Sequence, residues 1–319
     1  MCTTIGFSHN NGQVFGRTLE LGVVLDNKVL FVPKGYQIVE TDTQIYESTY
    51  NTLGSGFFEI ISFGDGINEA GLMGSNNFFP GYASFSKEKV TGMINTTTSH
   101  AFDFLLTRCK SIEEVRKEAK KINLVEKILD QESSANHFFF MDTDGNKLVL
   151  EPKNGKLIAY DNPYGVLTNA PNFPWHQTNL KNFINLKPEN TKEAYINGTK
   201  ITQFGEGTEM LSLPGDFTPP SRFVRAAYYV SNTDKNLDRH AAILQGFRIL
   251  SQFDIPEGAI IDPIEKHKDE TLYTSIFDTE KSSYHVKCHT NINIQSFYLE
   301  DFKNDTQVKF IELAKTMDI

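Results

Sequence analysis

The sequence predicts layered sheets faced by helices, in an α+β or αββα arrangement and not a parallel βαβ sheet. Three observations carry that expectation. Strand-like and helix-like stretches fall in separate blocks, in the order strands, two helices, strands, two helices, strands, instead of alternating as in a parallel sheet. The 319 residues are enough to bury a sizeable core. No repeat or linker-like segment divides the chain, so residues 1–319 are expected to form one domain.

The elements follow in order. Thr3 to Phe7 alternates polar and apolar, His9-Asn10-Asn11-Gly12 is a turn cluster, and Val14-Phe15-Gly16-Arg17 reads as the returning strand of a hairpin. Val23-Val24-Leu25 and Val29-Leu30-Phe31-Val32 are short strands around a turn, whereas residues 34–56 are polar and turn-rich. Phe57 to Phe63 reads as one strand, and residues 65–73 supply a turn and the next. Ser99 opens a helix in which Phe102, Leu105, Leu106 and Cys109 recur at helical spacing, so Cys109 is expected in the core. Ser111-Ile112-Glu113-Glu114 has capping-box spacing and starts a second helix, with Ile112, Val115, Ala119 and Ile122 on one face.

Strand patterns return at 137–141, 148–151, 156–160 and 165–168. Asp142-Thr143-Asp144-Gly145-Asn146 resembles the start of a calcium loop, but Lys153 stands where the loop needs glutamate, and a hairpin turn is the expectation. Residues 171–220 have little regular pattern. Pro219-Pro220-Ser221 opens a third helix, a fourth covers about 238–253, and strands close the chain at 271–277, 284–288 and 292–297.

Composition narrows the function. Apolar residues make up 39% and charged residues 22%, as in a soluble globular protein. A net charge of −9 with no basic stripe argues against nucleic acid as a partner. No apolar run approaches eighteen residues and no leader pattern is present, so a cytoplasmic protein without a membrane partner is expected. Cys2, Cys109 and Cys288 offer no disulfide framework and no Cys-x-x-Cys pair, which fits a reducing compartment. Phosphate-loop, dinucleotide, His-Glu-x-x-His and nucleophile-elbow motifs are missing. His285-Val286-Lys287-Cys288-His289 alternates as a strand does, so no metal and no cofactor are expected.

The chemistry points to the first twenty residues. Cys2 follows the initiator methionine directly, and Met is removed readily before a small side chain. The product carries a thiol beside a free α-amino group, which titrates near ~8 and can serve as the thiol's base. The alternative is a cysteine that simply packs in an early strand. The predicted hairpin returns Arg17 and Glu20 beside Cys2, a cation that favours thiolate and an anion able to hold an ammonium group.

Several stretches together resemble the choloylglycine hydrolase family of N-terminal-nucleophile amidases, which includes bile salt hydrolases and penicillin V acylases. They are Met1-Cys2-Thr3, Phe15-Gly16-Arg17, Asp65 to Leu72, Gly165 to Asn169, Trp175 to Leu180, Leu213 to Pro219 with Ser221-Arg222-Phe223, and Leu272 to Ser275, in family order. The resemblance implies the αββα sandwich, with Cys2 as nucleophile once Met1 is lost and its own amine as general base. It implies Arg17 beside the thiol, the Asn169 side-chain amide in the oxyanion hole, and Arg222 as a second active-site arginine. Phe78 falls where a backbone donor joins that hole. Relatives form homotetramers through an excursion like residues 183–218.

Two residues depart from the family pattern. Glu20 stands where Asp usually holds the nucleophile's amine, and Phe78 stands where bile salt hydrolases tend to have Asn and penicillin V acylases Tyr. The aromatic at 78 and the Gly71-Leu72-Met73-Gly74 wording favour a penicillin V acylase-like hydrolase of small-molecule amides with an apolar acyl group. Phe57, Phe58, Phe78, Phe79, Leu19 and Leu21 are candidates for its pocket. The alternatives are a conjugated bile salt hydrolase, an enzyme for N-acyl homoserine lactones, or a weakly active or non-catalytic relative that only binds acyl ligands. Trp175 and His176 are expected to anchor a loop.

Overall fold

The computed structural model describes residues 1–41, 44–264 and 266–317. Two antiparallel sheets hold the site. In chain order their strands are β1 (Cys2–His9), β2 (Gly12–Leu21), β3 (Asn27–Val32), β4 (Thr52–Phe57), β5 (Ile60–Asn68), β6 (Met73–Phe78), β7 (Asn136–Met141), β8 (Lys147–Lys153), β9 (Lys156–Asp161), β10 (Val166–Leu167), β11 (Ile260–Ile261), β12 (Lys268–Asp278), β13 (Ser283–Cys288), β14 (Asn291–Tyr298) and β15 (Lys309–Glu312). The first sheet runs β10-β1-β2-β12-β13-β14 with β11 on β12, and the second runs β9-β8-β7-β6-β5-β4-β3-β15. Helices α1 (Thr98–Arg108), α2 (Ile112–Ala119), α3 (Phe173–Asn179), α4 (Pro219–Ser231) and α5 (Arg239–Leu250) complete the main elements.

Side-chain alternation explains the layering. Along β7, Phe139 and Met141 join the cluster between the sheets, while Phe138 and Phe140 point to the opposite face and pack with α1 and α2. A strand buried on both faces needs apolar residues at every position, which is why 138–141 reads Phe-Phe-Phe-Met. On the far side, Phe223 and Ala226 of α4 and Ala242, Phe247 and Leu250 of α5 cover the first sheet. The order is therefore helices, sheet, sheet, helices, the predicted αββα sandwich.

The N-terminal hairpin forms as expected, with His9 opposite Gly12 and the register Thr4–Arg17, Thr3–Thr18 and Cys2–Leu19. Ser111 caps α2 by accepting from the Glu114 amide at 3.3 Å, and the Glu114 carboxylate reaches back to the Lys110 amide at 3.0 Å, one residue earlier than a capping box requires. Asp142 closes the β7–β8 turn by accepting from the amides of Asp144 and Asn146, a hairpin turn as expected. Cys109 is buried against the helices, and burial pushes its thiol up to about 12.

Five expectations are corrected. Val23-Val24-Leu25 forms no strand: β2 ends at Leu21 and β3 begins at Asn27, with Val23 and Val24 exposed. Residues 34–56 contain the strands Gln37–Thr41, Gln44–Glu47 and β4, built from polar and glycine-rich sequence. Phe57 to Phe63 is not one strand: Phe58 and Glu59 both take positive φ and form a tight turn between β4 and β5. Ile122 belongs to the short strand Ile122–Leu124, not to α2, which ends at Ala119. Residues 171–220 contain α3 and a small hairpin, Glu193–Ile196 with Thr199–Thr202.

Gly165 precedes β10 with φ +65, and its carbonyl oxygen accepts the Gly6 N–H at 2.8 Å. A Cβ there would stand 2.2 Å from the Gly6 carbonyl oxygen, a backbone atom that cannot swing away. Gly165→Ala is expected to cost on the order of 2–3 kcal/mol in denaturant unfolding, combining the left-handed penalty with the clash. An unfolding midpoint equal to wild type would refute this account of the β1–β10 edge.

Candidate active site

The paired strands β1 and β2 bring together three of the sequence-selected residues. Cys2 is almost wholly buried, and Arg17 lies beneath it, its Nη2 donating to Cys2 Sγ at 3.2 Å. The other end of the guanidinium crosses to the second sheet, where Nη1 donates to the Gly64 carbonyl at 2.6 Å and lies 3.6 Å from the Asp65 carboxylate. Tyr273 and Ser275 of β12 donate to Asp65 Oδ2 at 2.8 and 3.2 Å. Burial opposes the charge on Arg17, but its contacts with Cys2, Tyr273 and Asp65 outweigh that and raise its pKa. Burial likewise pushes the Asp65 carboxyl up, with Arg17 and the tyrosine pulling it back.

Asn169, two residues past β10, approaches from the side. Its Oδ1 accepts from the Cys2 backbone nitrogen at 3.1 Å and from Arg222 Nη2 at 2.7 Å. Two donors on one atom fix which way the amide faces. Its Nδ2 donates one hydrogen to the Phe78 carbonyl at 2.7 Å, leaving a second amide hydrogen for another acceptor. Phe78 thus joins the site through its carbonyl, with its ring about half exposed. Arg222, fully buried on α4, does not contact the sulfur. It donates to the Cys2 carbonyl at 2.5 Å, Thr3 Oγ1 at 2.9 Å and the Phe217 carbonyl at 2.7 Å, and so clamps β1 to α4 and to Asn169.

Glu20 sits at a β-bulge where the β2–β12 register shifts, a feature that re-aims a side chain. Its carboxylate is fully buried and neither oxygen is hydrogen-bonded. Burial raises its pKa, and the terminal ammonium and Arg222 pull the other way without cancelling the effect. Met1 extends the ladder by one residue: its nitrogen donates to the Glu20 carbonyl at 2.5 Å and its carbonyl accepts from the Glu20 amide at 3.0 Å. With Met1 attached, the Cys2 nitrogen is a peptide nitrogen. Its removal exposes an amine already aimed at Asn169 Oδ1.

Sequence reasoning missed the residues that support this set. Asp65 and Tyr273 lie inside two of the stretches that carry the family resemblance, yet nothing local marks them as partners of Arg17. Asn77 bridges the sheets, donating to the Thr168 carbonyl at 3.1 Å and pairing with Thr4 Oγ1. His176 anchors its loop as expected: Nε2 meets the Asn169 carbonyl at 3.1 Å, its ring stacks on Phe223, and burial lowers its pKa to about 4. Of the expected pocket residues, Phe58 and Phe78 are exposed, but Phe79 and Leu19 are core, Phe79 stacking on His137.

Comparison with known proteins places the chain in a family. A family model described as linear amide C–N hydrolases, choloylglycine hydrolase family, matches residues 2–311. The chain is 31% identical to a bile salt hydrolase/transferase of Clostridium perfringens, over 100% of this chain and 99% of the relative. The solved structure of a mutant conjugated bile acid hydrolase from the same organism superposes with a TM-score of 0.92 at 29% identity, covering 100% of this chain and 99% of that one. A penicillin V acylase of Pectobacterium atrosepticum is 27% identical over 79% of this chain and 66% of its own length.

The buried Glu20 carboxylate yields a prediction with a definite sign. Its folded pKa lies above the ordinary value, so the folded state carries a penalty above that folded pKa, and none below the unfolded pKa. Glu20→Gln is therefore expected to raise the melting temperature at pH 7 and leave it unchanged near the bottom of the carboxylate range. Turnover should fall about tenfold or more through loss of the group facing the amine. A variant that is destabilised at pH 7 and equally active would contradict both parts.

Proposed function

Because the chain belongs to the choloylglycine hydrolase family of linear amide C–N hydrolases, we propose that it cleaves the amide of conjugated bile salts with Cys2 as nucleophile. The observation that carries this reading is the Arg17–Cys2–Asn169 arrangement in a chain that matches a bile salt hydrolase/transferase from end to end.

The mechanism follows from the contacts. Loss of Met1 frees the Cys2 amine, which takes the thiol proton as sulfur attacks the amide carbonyl carbon. Arg17 stabilises the anionic sulfur from 3.2 Å. The second Nδ2 hydrogen of Asn169 meets the oxyanion, a donor of a kind worth roughly 3–4 kcal/mol in the transition state. As the tetrahedral intermediate collapses, the C–N bond breaks and the amine returns its proton to the leaving nitrogen, leaving a thioester. Water then attacks the thioester, the amine accepting its proton, and the acid and the free thiol are released. Glu20 holds the amine's positive charge while it is protonated. Arg222 acts through Asn169 and the β1 backbone, as a positioning residue.

The acyl group rests against the exposed apolar residues near the mouth, Phe58 on the β4–β5 turn and Phe78 at the end of β6. The sequence alone favoured a penicillin V acylase-like substrate. The weight moves to bile salts because a relative named for them aligns over nearly its whole length, whereas the named penicillin V acylase aligns over 66% of its own. Phenoxyacetyl amides remain the second reading, supported by the aromatic residue at 78.

Side-by-side hydrolysis of glycocholate, taurocholate and penicillin V by Met1-free enzyme tests the proposal. The bile salts are expected to react at least about tenfold faster in kcat/KM, a gap of about 1.4 kcal/mol. Cys2→Ser should lose on the order of a hundredfold or more. Cleavage of none of the three, or equal rates from the serine variant, would refute the nucleophile assignment, and a preference for penicillin V would refute the substrate.

The excursion 183–218 carries a further part of the proposal. Its hairpin 193–202 is exposed at every residue, and Ile184, Tyr195, Phe204 and Leu211 present large apolar side chains to solvent. A two-stranded hairpin is marginal by itself, so this one is proposed to pack on a second copy of the chain in a homotetramer. Light scattering is expected to give a mass of about four times the 36.1 kDa chain, and Phe204→Ser with Leu211→Ser to lower it. A monomeric wild type would rule this out.

A further inference from the structure

A cavity of about 300 Å³ lies beside the candidate site, lined on its apolar side by Leu25, Phe58, Leu272, Cys288 and Leu313. That volume is at the lower end of small-molecule sites. None of Cys2, Arg17, Glu20, Asn169 and Arg222 lines it. The strand register explains where it sits. Cys2 pairs with Leu19, Leu19 with Tyr273, and Tyr273 with Cys288, a single cross-strand row of residues facing the second sheet. Three strand spacings put Cys288 roughly 14 Å from the nucleophile. Tyr273 stands between them in the row, with Phe57 of the second sheet packed against its ring.

The second sheet contributes the polar feature. Asn27 opens β3 opposite Phe57 and lines the cavity, with only 9% of its surface exposed. Both its Oδ1 and its Nδ2 are buried and neither has a hydrogen-bond partner. A buried amide with an unused donor and an unused acceptor is costly. The charges at the rim are already matched. Lys315 pairs with Asp26 at 3.0 Å and with Glu312 at 3.7 Å, and Lys28 pairs with Asp26, Glu59 and Glu312. Thr290 and His289 also line the cavity but are already engaged, Thr290 Oγ1 with Cys288 Sγ and His289 Nδ1 with the Leu272 carbonyl. Asn27 is therefore the lining side chain whose hydrogen-bonding atoms are buried and unused, and among the described residues Asp26 and Lys315 of the lining are paired.

We propose that this cavity is a second ligand site, sharing the Phe58 ring with the proposed acyl surface but none of the reacting groups, for a small neutral amphipath whose hydroxyl or amide group is met by Asn27. An alcohol uses both halves of the side chain, donating to Oδ1 and accepting from Nδ2, while Leu272, Cys288 and Leu313 enclose its hydrocarbon part. Binding needs no bond to be made or broken, and no amide in the ligand.

Calorimetric titration of the full chain with 2-indanol and with indane, the same ring system lacking the hydroxyl, tests the site. Wild type is expected to bind 2-indanol. The ratio of the indane dissociation constant to that of 2-indanol should fall at least about fivefold in Asn27→Leu, the worth of one neutral hydrogen bond. Leu313→Trp, which fills the cavity from the C-terminal segment, should abolish 2-indanol binding and serves as the test if Asn27→Leu does not fold. No binding of 2-indanol to wild type up to its solubility limit would overturn the proposal. So would a ratio unchanged in Asn27→Leu, or affinity retained in Leu313→Trp, either of which would place the alcohol elsewhere.

Discussion

The structure depends on one buried cation, Arg17. Its guanidinium joins the thiol of the first sheet directly to Gly64 and Asp65 of the second. A lone charge between two sheets would be prohibitively costly, and this one is tolerated because sulfur, a backbone carbonyl and a carboxylate surround it. Asp65 in turn needs Tyr273 and Ser275, so the demand for partners spreads from β2 into β12 and β5. Removing any one member leaves another buried and unmatched, which explains why a polar cluster occupies the middle of an otherwise apolar interface.

Arg222 repeats the arrangement on the opposite side with a different outcome. Burial lowers its pKa, and its partners are neutral oxygens of Cys2, Thr3, Phe217 and Asn169 rather than a carboxylate. The opposite charge that acts on it most strongly is Glu20, whose oxygens remain unbonded. In the Met1-bearing chain the site thus holds a carboxylate that is paired electrostatically and not by hydrogen bonds. Freeing the Cys2 amine adds the missing donor class, so processing and charge balance are coupled in the same few ångströms.

Much of this was legible in the sequence, and the limits have physical causes. The β1–β2 hairpin was readable because period-two alternation and an Asn-Asn-Gly turn are local signals. Residues 52–57 were not, because Gly54 and Gly56 stand where chains approach closely: a Cβ on Gly54 would meet the Asp65 carbonyl oxygen at 2.0 Å. The turn at Phe58-Glu59 was hidden because it puts two ordinary residues at positive φ where glycine or asparagine is the usual signal. Cys2, Arg17, Glu20 and Asn169 were found through position and family resemblance. The Asp65–Tyr273 bond joins residues 208 apart, and no local pattern encodes such a contact.

The division of labour between the sheets bears on how such a site changes its substrate. Cys2, Arg17 and Glu20 lie on the hairpin of the first sheet, each tied by strand register and by buried partners. The exposed apolar residues Phe58 and Phe78 lie at strand ends of the second sheet, where the backbone, not the side chain, makes the contacts that matter: the Phe58 amide with Asp26 and the Phe78 carbonyl with Asn169. Exchanging those rings would alter the proposed acyl surface at little cost to the fold, since a half-exposed side chain contributes only part of its burial energy. Arg17 has no such freedom, because its loss strands the buried Asp65 carboxylate. Under the proposed function, acyl selectivity can therefore drift while the amide chemistry stays fixed, and residue 78 is where that drift meets Asn169.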